Sequence, residues 1–371
     1  MECGNLAVFT KIQAFTLFLN MKLALKINQF RRSLMRSITV NIGKSNQGRK
    51  LDLIDPNQIK RVLISRPNHR LGNLLLITPL VQEVSRTFPQ CKIDLFVKGN
   101  LAPIVFENYN EIGQIIKLPK KHFKALSEYI TGWISIKKNH YDLAINVDKE
   151  SSSGRLSVQL ANANYKFFGE VDEDVQSQYA DYKHIAKYPV YNLRSYLAQL
   201  GIPKNESPVP SLLIQLSDAE KTAAKDILDQ LVSSEKKTIC LFTFATGAKC
   251  YSEEWWTNFY ERLKIEFEDY NLLEVLPIEN VSQIGFTAPT FYSKDIREIA
   301  AFFSNTAVFI GADSGMMHLA SAAQIPTIGL FSVTNVAKYE PYNANSVAIQ
   351  TDSTELEEWI KTIKNVLKAS Q

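Results

Sequence analysis

Asp313, Ser314 and Gly315 stand together between two short apolar runs, 307–310 and 327–331. The first run is too short for a helix and β-branched enough for a buried parallel strand. Turn and cap residues at 311–315 break it, 316–324 reads as a short helix, and Ile325-Pro326 ends that helix before the second strand. Such a strand–turn–helix–strand unit sets its turn at the carboxyl edge of a sheet, where α/β proteins bind ligands. A helix beginning near Ser314 offers unpaired N–H groups and the positive end of its dipole to a phosphate. Gly315 lets a ligand approach the backbone with no Cβ in the way. A carboxylate repels phosphate, so Asp313 suits a neutral, hydroxyl-rich group such as a sugar. The structural alternative is that Asp313 or Ser314 only caps the helix.

The order Asp313-Ser314-Gly315, Met317-His318-Leu319-Ala320, Ile325-Pro326 and Leu330-Phe331 closely resembles the signature of glycosyltransferase family 9. A weaker resemblance covers about 61–351. It implies a GT-B fold, two Rossmann-like domains with parallel sheets facing across a cleft, and heptosyltransferase-like activity in lipopolysaccharide or glycolipid assembly. The loop holding Thr243, Thr246, Gly247 and Lys249 resembles the family's donor side, where hydroxyls and a lysine contact the nucleotide diphosphate. Lys249 is a compact charge suited to that group, although most lysines are merely exposed. Glu279 is an acidic residue in the neighbourhood that would accept from ribose hydroxyls. His318 belongs to the same donor-side set and, one turn into its helix, reads as buried and hydrogen-bonded rather than catalytic.

On the acceptor side, Gly72-Asn73 matches a family Gly-Asp pair whose Asp is assigned as the base that deprotonates the acceptor hydroxyl. Asparagine does not accept a proton at neutral pH, so that role does not carry over. Asp148, His69 and Asp172 are the replacement bases, in that order. Asp148 follows the apolar run 143–147 and belongs at a strand's carboxyl end; capping the Ser-rich helix start at 151–155 is its slightly favoured structural role. His69 as a loop residue that orders Asn73, and Asp172 as surface charge, are the corresponding alternatives.

The elements that position these residues follow from periodicity. Strands are expected at 61–65, 92–97, 113–118, 142–147, 238–244 and 271–277, with helices between them, the longest at 72–88 and 123–137. The βαβα alternation predicts doubly wound parallel sheets. The Pro-rich stretch 203–210 reads as a linker, dividing an acceptor domain (58–208) from a donor domain (209–371); the GT-B resemblance implies that the amphipathic last helix, 354–368, returns to brace the first domain. Ser217 and Glu220 form a capping box.

Residues 1–57 form a separate basic segment. Between Cys3 and Leu51 there is no Asp or Glu, while apolar residues recur every three or four positions. That pattern predicts an amphipathic helix at an anionic membrane surface through residues 1–40, on a protein peripheral to the inner face of the cytoplasmic membrane. It fits lipid better than nucleic acid. Four scattered cysteines and five histidines without ligand spacing predict no disulfide framework and no metal. No G-x-G-x-x-G follows a strand, which argues against a nicotinamide oxidoreductase, and no cofactor is expected.

Overall fold

The computed structural model describes residues 53–120, 125–171 and 173–370. Residues 1–52 of the basic segment and the base candidate Asp172 lie outside the described residues.

Among the described residues eleven strands form two wholly parallel sheets. The first contains β1 (Arg61–Arg66), β2 (Lys92–Lys98), β3 (Ile112–Leu118), β4 (His140–Asn146) and β5 (Asn162–Phe167), ordered β3-β2-β1-β4-β5. The second contains β6 (Thr238–Phe242), β7 (Asn271–Val275), β8 (Thr290–Phe291), β9 (Val308–Ala312), β10 (Thr327–Phe331) and β11 (Val347–Gln350), ordered β8-β7-β6-β9-β10-β11. Each sheet starts in its middle, winds to one edge, then returns and winds to the other. The winding reverses between β1 and β4, and again between β6 and β9. A crevice opens at the carboxyl ends of such strand pairs. β6, β9 and β10 are buried at every residue, as strands covered on both faces must be; their unbroken apolar runs follow from that.

The expected helix over 72–88 is two helices, Leu71–Leu75 and Thr78–Thr87. Pro79 has no N–H to give Leu75, and the Thr78 hydroxyl takes that carbonyl instead at 2.7 Å. The kink leaves Leu71–Leu75 as an independent short helix over the end of β1. Ser217 and Glu220 make the expected capping box at the start of the helix Asp218–Leu231.

The stretch 203–217 has no regular secondary structure but is tied to both halves. Leu213 N–H donates to Thr78 Oγ1 at 3.1 Å and Ile214 N–H to Ala322 O at 2.9 Å. The last helix, Leu356–Ala369, does not brace the first sheet. Its buried face, Trp359, Ile360, Ile363 and Val366, joins Trp256, Phe259, Val308 and Ile328 in the second half's own core.

Candidate functional site

At the end of β1 stands Arg66, and two residues beyond the end of β4 stands Asp148. Adjacent strand ends thus bring opposite charges together: Arg66 Nη1 donates to Asp148 Oδ2 at 2.6 Å, and Arg66 Nη2 to Asn73 Oδ1 at 3.3 Å. Arg66 is 8% exposed, so its charge needs that partner. The favoured capping role of Asp148 is not what the structure shows. Ser151 caps the helix Ser152–Leu160 by accepting from Gly154 N–H, while Asp148 Oδ1 accepts from Glu150 N–H at 3.0 Å in a local turn. Beside this pair lies Tyr188, whose phenol is pushed up by burial and by the Asp148 carboxylate.

The second sheet repeats the arrangement. Asp313 follows β9, and Lys249 lies on the loop after β6; Lys249 Nζ reaches Asp313 Oδ2 at 2.5 Å. The Asp313 side chain is 5% exposed and that of Lys249 35%. Ser314 is the N-cap of the helix Gly315–Ala322, accepting from Met317 N–H at 3.4 Å. Asp313 is therefore not the cap; its carboxylate is left for the lysine. Lys249 Nζ also lies 5.9 Å from the centre of the Tyr339 ring.

The two edges meet through glycine. A Cβ on Gly72 would stand 2.9 Å from His318 Cδ2, so only glycine lets the helix Leu71–Leu75 lie this close to Gly315–Ala322. Gly315 faces Leu71 and Gly72, where a Cβ would find ordinary contacts at 3.5–3.6 Å. His318 is buried as expected, but its Nδ1 has no hydrogen-bond partner. Burial lowers its pKa to about 4 despite the Asp313 carboxylate nearby. His184 is close enough to be felt by His318 and is also pushed down to about 4 by burial. Its Nε2 lies 3.0 Å from Glu340 O, and its Nδ1 accepts from Ala186 N–H.

The remaining sequence candidates are dispersed. Thr243 is fully buried, its hydroxyl donating to Glu274 Oε1 at 2.5 Å and accepting from Gln283 N–H, so it supports the loop from within rather than presenting a donor. Glu274 in turn accepts from Ser282 Oγ at 2.6 Å, and burial raises its pKa. Thr246 and Gly247 are exposed on the loop; Gly247 has φ +68°, a conformation that favours glycine. Glu279 is exposed in the turn after β7. His69 is exposed beside Gly99, and burial together with Lys98, Lys120 and Arg70 lowers its pKa.

Sequence reasoning missed Arg66, Glu274, Tyr188 and His184. Arg66 had a signal: like Asp148 it ends an apolar strand run, and polar residues at that position face the crevice. Glu274 sits inside an apolar run, where a carboxylate needs hydroxyl partners. Among the described residues no cluster of ligand types suited to a metal ion occurs, and no helix is long and apolar enough to cross a membrane.

A model of glycosyltransferase family 9 (heptosyltransferase) matches residues 293–365. A lipopolysaccharide heptosyltransferase 3 of Escherichia coli is 24% identical over 294 residues, covering 74% of this chain and 85% of its own. The lipopolysaccharide core heptosyltransferase OpsX of Haemophilus influenzae is 20% identical over 306 residues, covering 77% and 84%. Among solved structures, the glycosyl transferase family 9 protein from Veillonella parvula matches with TM-score 0.68 at 16% identity, over 85% of this chain and 99% of that one. Escherichia coli heptosyltransferase WaaC with ADP matches with TM-score 0.58 at 16% identity, over 84% and 100%. The two parallel sheets are thus arranged as in the GT-B fold.

Proposed function

We propose that this chain is a heptosyltransferase-like glycosyltransferase of family 9 that transfers heptose or a similar sugar from a nucleoside-diphosphate sugar to a lipopolysaccharide or other glycolipid acceptor at the inner face of the cytoplasmic membrane. The observation that carries this is the Lys249–Asp313 pair at the amino end of a helix capped by Ser314, at the second sheet's reversal point. Lys249 and the amides at Ser314-Gly315 would take the diphosphate, and Asp313 the sugar hydroxyls. Thr246, Gly247 and Glu279 lie on exposed loops at the same edge, with Glu279 assigned to the ribose. Residues 209–371 act as the donor domain and 58–208 as the acceptor domain, with residues 1–40 on anionic lipid.

In the reaction an acceptor hydroxyl forms a new C–O bond at the anomeric carbon as the bond to the diphosphate breaks, a displacement with no metal step. Charge builds on the leaving diphosphate, and Lys249 with the helix amino end stabilises it, more strongly once water is excluded. The hydroxyl's proton goes to Asp148, which must share or release Arg66 to take it. A second reading rests on Asn73: a protein that binds the donor without transferring it. Calorimetric titration with ADP-, GDP- and UDP-sugars, paired with transfer to extracted membrane glycolipid, tests both. Tight donor binding without turnover selects the second reading; no binding of any nucleotide sugar overturns both.

A further inference from the structure

The helix Leu126–Lys138 buries Gly132 and Ile136 against the first sheet, with Tyr129 and Trp133 half-buried beside them. Its outward side ought to be polar, because a helix with one buried face needs no second apolar one. Instead Leu126, Ile130 and Ile134 are 57%, 48% and 45% exposed. At a spacing of four they form a single line along the helix. Lys138, four residues on from Ile134, extends that line and Lys137 flanks it, both exposed. The helix's one carboxylate, Glu128, lies away from the line, on the side that meets β3 near Gln114 and Lys117. Before the helix, Lys120 is also exposed. None of these three lysines is in an ion pair among the described residues.

We propose that this face docks on an anionic bilayer, with the three aliphatic side chains entering the boundary between headgroups and acyl chains and the lysines lying against lipid phosphates. The charge pattern selects lipid over protein: a narrow apolar line ending in unpaired cations suits a surface of mobile anions. Three half-exposed side chains are also far short of the roughly 800 Å² per partner that a stable protein interface buries. The chain leaves β3 at its carboxyl end and returns to start β4, so Leu126 belongs to the end of the helix nearer the cleft. Docking would therefore hold the acceptor side of the cleft near the membrane. This rests on the reading of the acceptor as membrane-borne and adds a second contact to the one assigned to residues 1–40.

The test uses the full chain and vesicles of phosphatidylcholine with or without phosphatidylglycerol. Ile130→Asn/Ile134→Asn and, separately, Lys137→Glu/Lys138→Glu should each weaken binding to the anionic vesicles tenfold or more at unchanged Tm. Brominated lipid should quench the wild type, and Trp133→Phe should remove that quenching; residues 1–52 hold no tryptophan, so the signal does not come from them. Transfer to membrane-embedded acceptor should fall in both double variants, while transfer to detergent-dispersed acceptor should not. Unchanged vesicle affinity in the isoleucine variant overturns the proposal. So does loss of self-association, by light scattering, with vesicle affinity intact, which would make the face a contact between copies. A wild type that transfers to neither acceptor sinks the transferase reading, yet vesicle binding still decides the docking.

Discussion

Exchanging two side chains around Arg66 separates catalysis from stability at the acceptor edge. Asp148→Asn removes the proposed base and also leaves a nearly buried guanidinium without its carboxylate. Breaking a fully buried ion pair costs about 3–5 kcal/mol. Here Asp148 keeps 22% of its surface in water and Asn73 still accepts from Arg66, so the cost should fall nearer the ~1–3 kcal/mol of an unsatisfied polar group. A fall in Tm of a few degrees follows. The double variant Asp148→Asn/Asn73→Asp moves the carboxylate to the other prong of the same guanidinium and should recover most of that loss. General-base assistance contributes about 10²–10⁴-fold, or roughly 3–5 kcal/mol of barrier. Turnover on membrane acceptor should therefore drop by that factor in Asp148→Asn with donor affinity retained. In the exchanged variant two outcomes are informative: restored stability with no turnover fixes the base at 148, and restored turnover means that position 73 also serves. If Asp148→Asn transfers like the wild type, this placement of the proton is wrong.

Three further outcomes are expected. Asp313→Ala should weaken the intact donor by roughly 10–100-fold, the worth of ~1.5–3 kcal/mol of charged hydrogen bonds, while the bare nucleoside diphosphate binds no worse in titration calorimetry, since the competitor for Lys249 is gone. His184 and His318 have folded pKa values lowered to about 4 from 6.5; lowered values mean that stability is full above pH 6.5 and is lost as pH falls toward 4, by up to about 2.7 kcal/mol per pH unit if both must charge, and a Tm flat from pH 7 to 4.5 would refute this. Gly72→Ala should destabilise by ~1–3 kcal/mol through overpacking on His318, whereas Gly315→Ala, whose Cβ meets ordinary contacts, should leave Tm level or raised in a thermal melt.

Much of this was legible because the central strands are covered on both faces. Burial makes β1, β4, β6, β9 and β10 continuous apolar runs, and whatever polar residue ends such a run stands at the crevice; Asp148 and Asp313 were found that way. β5, by contrast, reads Asn-Ala-Asn-Tyr-Lys-Phe: an edge strand carries polar residues toward solvent and leaves no run to see. The capping box at Ser217 was visible because a cap is local. The Arg66–Asp148 and Lys249–Asp313 pairs were not, because each joins residues more than sixty positions apart. Nor does a local pattern tell whether a threonine such as Thr243 turns toward solvent or into a core. His69 illustrates the same point, since which neighbour the loop after β1 brings it to, here Gly99, is not written in its local sequence.

The two reversal points resemble each other in more than topology. Each is spanned by one cation and one carboxylate from neighbouring strand ends, Arg66 with Asp148 and Lys249 with Asp313. Each pair offsets the cost of a nearly buried ion. On the proposed reading the same pairs set what binds. A bare diphosphate satisfies Lys249 but strands Asp313, 5% exposed, without a partner. A bare sugar satisfies Asp313 and strands the lysine. Only a ligand that presents phosphate and hydroxyls together gives both ions a new partner. The pair then acts as a filter for the intact donor, because every partial ligand has to leave one charge behind.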